Sequence, residues 1–364
     1  MRMLIKSLAT YALSLSMVLS GCGAKTAENT ENIYDSVSAD GALQVHFIDV
    51  GQADCELIKF PDGQFALIDA GDSSHKDEVV NYLTAQGVED IAFAVATHGH
   101  EDHIGGMQSV IENFNVKKVI RPYQDHDSTL YTNMLYAIEE SGAEEIIAKY
   151  GDTFETGGAE FEIFAPVQQE YSDFNDCSVV LKMTYGNRSF LFTGDAGKAS
   201  EEDMLSMGYN LKSDVLKVGH HGSRTANTEE FIKAVSPYIA VISVGKDNKY
   251  DLPDEEPIER LESVGSKVYR TDEVGTVIVI TDGEKAEVSY GGGAEEIKAV
   301  SDNTGSANKT EAQKTEAVIG NSNTKVYHSL SCGSLPSEKN RVMFSSAQEA
   351  ENAGYRPHSS CTEK

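Results

Sequence analysis

"ATHGHEDHIGG", residues 96–106, places three histidines and two acids within the six positions 98–103, directly after an apolar run at 91–95. The apolar run reads as a buried strand, and Ile104, Met107, Val110 and Ile111 then recur at helical spacing. The loop therefore joins the carboxyl end of a strand to a helix. His98 and His100 stand two apart and point the same way from an extended backbone, while Asp102 and His103 open the helix from the other side. Imidazole and carboxylate together suit zinc and related divalent ions, and two ligand pairs in one tight turn can hold two of them.

The surrounding pattern predicts the scaffold. Upstream, "LQVHFIDV", "CELIKF" and "FALIDAG" are three short β-rich runs broken by Gly, Asp and Pro, an antiparallel start to a sheet. A helix is expected from Val79 towards Val88. Downstream, strand and helix alternate: a strand at 116–120, a helix at 129–140, the strands "SVVLKMTY" and "SFLFTG", a helix at 200–206, the strand "SDVLKVG", a helix at 228–235, the strand "IAVISVG", a helix at 257–264, and a last group "KVYR", "TVIVIT" and "AEVSY". This alternation predicts a layered α/β domain of two sheets covered by helices.

Composition limits the function. The chain has 364 residues, 40% of them apolar and 24% charged, with a formal net charge of −28. That is a globular composition with room for a large core and one further module. Its acidity excludes non-specific wrapping of nucleic acid by basic patches, although a bound metal would create a local positive centre.

At the start, Arg2 and Lys6 precede an apolar stretch, 8–19, too short for a comfortable membrane span. It ends in "LSGC", which resembles the lipobox of bacterial lipoproteins. The resemblance implies a signal at 1–21, a lipidated Cys22 that anchors the mature protein to the membrane, and an extracytoplasmic location. Residues 22–42 then read as a tether with little to bury.

"THGHEDH" is similar to the HxHxDH signature of the metallo-β-lactamase superfamily. "FIDVGQAD", "THGHEDHIGG", "FLFTGDA", "KVGHHGS" and "YRTDEVGTVIV", in that order, resemble the extracellular hydrolase domain of DNA-internalisation competence proteins. The resemblance covers residues 43–291 and implies a four-layer αββα sandwich. It also implies a binuclear site with two divalent ions, zinc first and manganese second. His98 and His100 would hold one ion. Asp102, His103 and either His220 or His221 would hold the other, with Asp195 bridging and Asp69 in the place of the early structural aspartate. Asp102 or Asp195 would orient the nucleophile, and Asn248 or Tyr250 would meet the substrate, with turn roles the alternative for the last two. The neighbour of the ligating histidine, His220 or His221, would reach substrate or the ligands' partners.

This chain departs from the pattern in three ways. Where many superfamily members carry a further histidine, it offers Asn175, Asp176 and Cys177. It has His100 where the competence-type relatives commonly have Asp. Their "NxYGHP" stands here as "NKYDLP", with Leu252 in the histidine's place. Cys55 and Cys177 read as buried core residues, and His46, His75 and His126 as core or surface histidines.

Two ions about 3.5–4 Å apart activate water and stabilise developing charge. The expected activity is a metal-dependent hydrolase acting on a phosphodiester, either nucleic acid or a cell-wall component. Carbonyl hydrolysis of a lactone or β-lactam, and a non-catalytic surface receptor, are the alternatives. Residues 292–322 read as a linker. Residues 323–364 resemble the metal-binding module of Ada-type DNA-repair proteins. In that resemblance His328, Cys332, His358 and Cys361 form a structural zinc site, a Cys332–Cys361 disulfide being the alternative.

Overall fold

The computed structural model describes residues 41–291, 293–297, 318–329, 335–336, 340–344 and 347–358. The signal, Cys22 and most of the tether lie outside the described residues, as do Cys332 and Cys361.

Two mixed sheets lie face to face. The first has nine strands in the order Gly293–Ile297, Ala286–Tyr290, Val277–Thr281, Leu43–Phe47, Glu56–Lys59, Phe65–Ile68, Phe93–Val95, Lys118–Arg121 and Glu144–Ile147. The second has seven: Lys267–Arg270, Ile239–Ile242, Val215–Lys217, Arg188–Phe192, Val180–Tyr185, Ala159–Ala165 and Thr153–Thr156. Between them, Phe47, Val95, Phe161, Phe190, Phe192 and Val241 interdigitate in one apolar core. Helices Lys76–Ala85, Met107–Asn113 and Thr129–Ser141 bury Leu83, Val110 and Met134 against the outer face of the first sheet. Lys198–Ser206, Glu229–Val235 and Glu255–Ser263 bury Met204, Ile232 and Leu261 on the second. The four-layer αββα sandwich expected from the sequence is the observed fold.

Each sheet changes character once. Phe65–Ile68 is antiparallel to Glu56–Lys59 but parallel to Phe93–Val95. In the second sheet Arg188–Phe192 is antiparallel to Val180–Tyr185 but parallel to Val215–Lys217. Ligands of open α/β sheets gather at the carboxyl ends of strands where the order changes. Asp69, the loop beginning at Thr97, Asp195 and the His220–His221 pair all follow those four strand ends.

Three sequence expectations need correction. Strands Glu144–Ile147, Thr153–Thr156 and Ala159–Ala165 were not expected. Their runs EEII, TFET and AEFEIFA are interrupted by acids that point away from the core, the usual guise of strands at or near a sheet edge. The helix after the histidine loop is broken into Glu101–Ile104 and Met107–Asn113. At the break a Cβ on Gly106 would stand 2.2 Å from the Ala70 carbonyl oxygen, so only glycine permits the contact. The linker expected at 292–322 is shorter at both ends: Gly293–Ile297 pairs with Ala286–Tyr290, and Val318–Asn321 belongs to the C-terminal module.

That module contains a four-stranded sheet, Arg341–Phe344, Val318–Asn321, Val326–Ser329 and Arg356–Pro357. Its core is small: Val318, Tyr327, Phe344, Ala350 and Tyr355. Among the described residues no helix is long and apolar enough to cross a membrane.

Candidate metal centre

Four expected ligands converge. One side-chain ligand atom from each of Asp102, His103, Asp195 and His221 lies within 4.8 Å of all the others. His103 donates through Nδ1 to Asp69 Oδ2 at 2.7 Å, which leaves Nε2 facing Asp195 Oδ1 at 3.3 Å. His221 donates through Nδ1 to the Ser243 carbonyl at 2.8 Å, and its Nε2 lies 3.3 Å from Asp102 Oδ2 and 3.8 Å from Asp195 Oδ1. Outer partners on Nδ1 thus aim both Nε2 atoms inward, as metal-ligating histidines require.

The residues fit a cation. His103 Nε2 and Asp195 Oδ1 are fully buried, yet neither has a hydrogen-bond partner. Buried polar atoms left in this way are costly unless something else satisfies them. Two imidazole nitrogens and two carboxylates form a donor set that suits zinc or a similar divalent ion.

The charges of these side chains are strongly coupled. Burial favours a neutral His103, but the Asp195 and Asp69 carboxylates outweigh it and hold its pKa well above the usual value. Burial likewise opposes ionisation of Asp195, and the His103 and His221 charges reverse that, keeping its pKa well below the carboxylate range. His221, lowered by burial but raised more by Asp195 and Asp54, reaches about 10. The sign throughout is that of a site which attracts positive charge.

The second pair of histidines is arranged differently. His98 Nδ1 lies 3.2 Å from Thr97 Oγ1 and 3.3 Å from Ser178 Oγ, and its Nε2 faces His100 Nδ1 at 3.0 Å. Burial and the nearby His103 hold His98 well below the ordinary histidine range. His98 and His100 do not close with Asp195 into a cluster as tight as the first. His220 turns its Nε2 towards the other oxygen of Asp195, at 3.8 Å from Oδ2. The open choice between His220 and His221 is therefore resolved for the tight cluster: His221 belongs to it. The pair is splayed because both residues adopt left-handed backbone, φ 49° and 51°, a strain that accumulates at functional sites.

Several participants escaped the sequence reading. Lys217 is 1% exposed, 2.5 Å from Asp54 Oδ2, and also donates to the Val218 carbonyl. Asp54 Oδ1 in turn lies 3.3 Å from His221 Nδ1. Burial opposes ionisation of Asp54, but the Lys217 ammonium prevails and lowers its pKa. His126, set aside as a core or surface residue, packs its ring against His100 at 5.5 Å and Phe174 at 4.9 Å on the rim of the site.

Asn248 takes its alternative role, and Cys177 the core role expected of it. Asn248 was expected to meet substrate. Its amide instead donates to the Gly245 and Leu252 carbonyls and accepts from the Tyr250 and Leu252 amides, so the side chain is spent on holding its own loop. Cys177 is buried, its thiol donates to the Phe174 carbonyl, and burial pushes its pKa up to about 12, so it is a core residue. In the C-terminal module the His328 and His358 rings lie 4.3 Å apart.

Comparison with known proteins agrees with this geometry. A family model described as metallo-beta-lactamase superfamily matches residues 48–246, and the metal binding domain of Ada matches 306–364. ComE operon protein 3 of Bacillus subtilis is 31% identical over 262 residues, covering 67% of this chain and 34% of that protein. Competence protein ComA of Neisseria gonorrhoeae is 31% identical over 231 residues, covering 63% and 31%. The chain spans about a third of the length of these relatives. Among solved structures, the metallo-beta-lactamase fold protein YhfI from Bacillus subtilis is 11% identical, with a TM-score of 0.46, and covers 66% of this chain and all of that one. With more than half of its length matched and the metal-ligating side chains assembled at the strand ends, the chain belongs to the metallo-beta-lactamase superfamily as a metal-dependent hydrolase.

Proposed function

We propose that the protein is a binuclear phosphodiesterase, held outside the cytoplasm by a lipid on Cys22, that acts on nucleic acid or a cell-wall phosphodiester. The observation that carries the phosphodiester reading is the setting of the metal cluster. In a chain of net charge −28, the ligand atoms of Asp102, His103, Asp195 and His221 gather where a divalent ion would create a local positive centre. Such a centre in an acidic protein favours an anionic substrate. The names of the relatives, competence and recombination proteins, support a nucleic acid.

Divalent ions, when bound, lower the pKa of water and stabilise charge on the leaving oxygen. The chain's own residues supply position and charge. Asp195 presents Oδ1 to His103 and His221 and Oδ2 to His220, so its two oxygens face different histidines. Asp69 and the Ser243 carbonyl fix the rings of His103 and His221. Asp102, 3.3 Å from His221 Nε2, is the carboxylate more open to solvent and is placed to orient a nucleophile. The exposed Tyr250 is available to stack on an aromatic base. A structural zinc on His328, Cys332, His358 and Cys361 would brace the C-terminal module.

The test is hydrolysis of bis(p-nitrophenyl) phosphate by full-length protein loaded with zinc or manganese. Turnover is expected, with loss of more than roughly 100-fold in Asp195→Ala, beyond the cost of removing a ligand's outer partner. Absence of turnover in metal-loaded protein would overturn the phosphodiester reading, and cleavage of a lactone instead would replace it. Cys22→Ser is expected to abolish labelling by radioactive palmitate and release the protein from membranes.

A further inference from the structure

Phe174 is a large aromatic side chain that belongs to none of the apolar cores. Its ring packs instead on two histidines, His126 at 4.9 Å and His100 at 6.3 Å, and the His126 and His100 rings stand 5.5 Å apart at 87°. His126 and Phe174 are both half-buried, so this corner of rings is partly open to solvent. The two loops that carry it are tied to each other and to the histidine loop. The Gln124 side chain donates to the Tyr171 carbonyl at 3.1 Å and accepts from the Tyr171 N–H at 2.8 Å. A Cβ on Gly99, between His98 and His100, would stand 2.3 Å from the His126 Cβ. The Ser128 N–H donates to His126 Nδ1 at 3.2 Å. A backbone amide can only donate, so Nδ1 is the bare nitrogen and the ring carries its hydrogen on Nε2.

We propose that His126 and Phe174 form an aromatic subsite that stacks on the base next to the phosphate being hydrolysed, so that these two residues set a preference for phosphates flanked by bases. Rings fixed at a rim by loop hydrogen bonds, and not by a core, offer a ligand a flat apolar face whose ordering has already been met on folding. Their place selects the ligand. A phosphate seated at His100 carries its base one ring further out, where this wall stands. Asp127 and Asp173, each exposed and each next to one of the rings in sequence, repel a second phosphate there and leave a neutral ring as the group that fits. The Nε2–H of His126 adds a donor that the oxygen and ring-nitrogen acceptors of a base can use. A polyol phosphate has nothing to place on this wall.

This inference rests on the phosphodiesterase reading, and its test removes a base without touching the backbone. Full-length protein loaded with zinc or manganese is given a single-stranded oligothymidylate in which one central nucleotide is a tetrahydrofuran abasic residue, mixed with the intact strand under a different label. Cleavage at the phosphates flanking the abasic residue is compared with cleavage at the same phosphates of the intact strand. Both are read in one tube, so the ratio is independent of how much metal the preparation holds. Wild type is expected to favour the phosphates flanked by bases by roughly fivefold or more, the effect of losing one stacked base. Phe174→Leu and His126→Leu should each bring the ratio towards one, and Phe174→Tyr, which restores a ring, should keep it. If wild type hydrolyses bis(p-nitrophenyl) phosphate but cleaves neither strand, cleaves both alike, or shows a preference that survives both leucine variants, the subsite is wrong and the phosphodiesterase reading stands. If neither the strands nor the simple ester is hydrolysed, both fall.

Discussion

The two halves of the metal centre share a carboxylate but are built on different terms. The half formed by Asp102, His103 and His221 is closed, and a second ring of Asp69, Asp54, Lys217 and the Ser243 carbonyl fixes His103 and His221 from behind. The half formed by His98 and His100 is held by hydroxyls, from Thr97 and Ser178. A carboxylate on Nδ1 raises the basicity of the ligating nitrogen more than a hydroxyl does. The difference predicts that an ion at the first half is held more tightly than one at the second.

The largest effect expected from breaking this contrast is at Lys217. Lys217→Met removes the ammonium paired with the buried Asp54 carboxylate, and should destabilise the protein by about 3 kcal/mol in chemical denaturation with chelator present. Adding Asp54→Asn should recover much of the loss. If the single variant is as stable as wild type, Lys217 does not hold the closed half. A smaller effect is expected where the outer partners are compared directly. Asp69→Asn should weaken the zinc ion at the first half by about 10–100-fold, whereas Ser178→Ala, which removes a hydroxyl from His98 Nδ1, should weaken an ion at the second by less than that. Equal effects in zinc titrations would erase the distinction between carboxylate and hydroxyl support.

His46 sharpens the same contrast away from the centre. It is buried with Tyr82 and Gln44 as partners and no carboxylate, and burial followed by the Lys59 charge lowers its pKa to about 3. The unfolded chain takes a proton on this histidine below about 6.5 while the folded one does not, so stability present above that pH is lost as pH falls towards 3. About 2 kcal/mol should disappear by pH 5 through this residue alone, at 1.36 kcal/mol per unit. His46→Phe should flatten that part of the pH profile, and an unchanged slope would assign the acid sensitivity elsewhere.

The ligands were legible because the chemistry is concentrated: six consecutive positions hold five metal-friendly side chains, and Asp195 and the histidine pair each follow an apolar strand. The support was not. Lys217 sits in "SDVLKVG", where alternation reads as an ordinary surface lysine. Only the packing of the two sheets brings it to Asp54, 163 positions earlier in the chain. The Ser243 carbonyl is a backbone group with no sequence signature at all. His126 looked solitary because the loop that carries it is placed by contact with Gly99, where a Cβ would stand 2.3 Å from the His126 Cβ. The layers were legible from alternating strands and helices, and the strands at 144–165 were lost to their acidic faces. Asn248 illustrates the opposite error: a polar residue in a family-like segment looked like chemistry and proved to be loop architecture.

Lys217 has one further consequence. It is a permanent positive charge installed at the bottom of an acidic well, and it balances part of the carboxylate repulsion before any ion arrives. Folding of the main domain is therefore expected without metal, and stripping its ions should change occupancy rather than unfold it. The C-terminal module, whose described apolar core is Val318, Tyr327, Phe344, Ala350 and Tyr355, is expected to lack that independence, and the same chelator would tell the two apart.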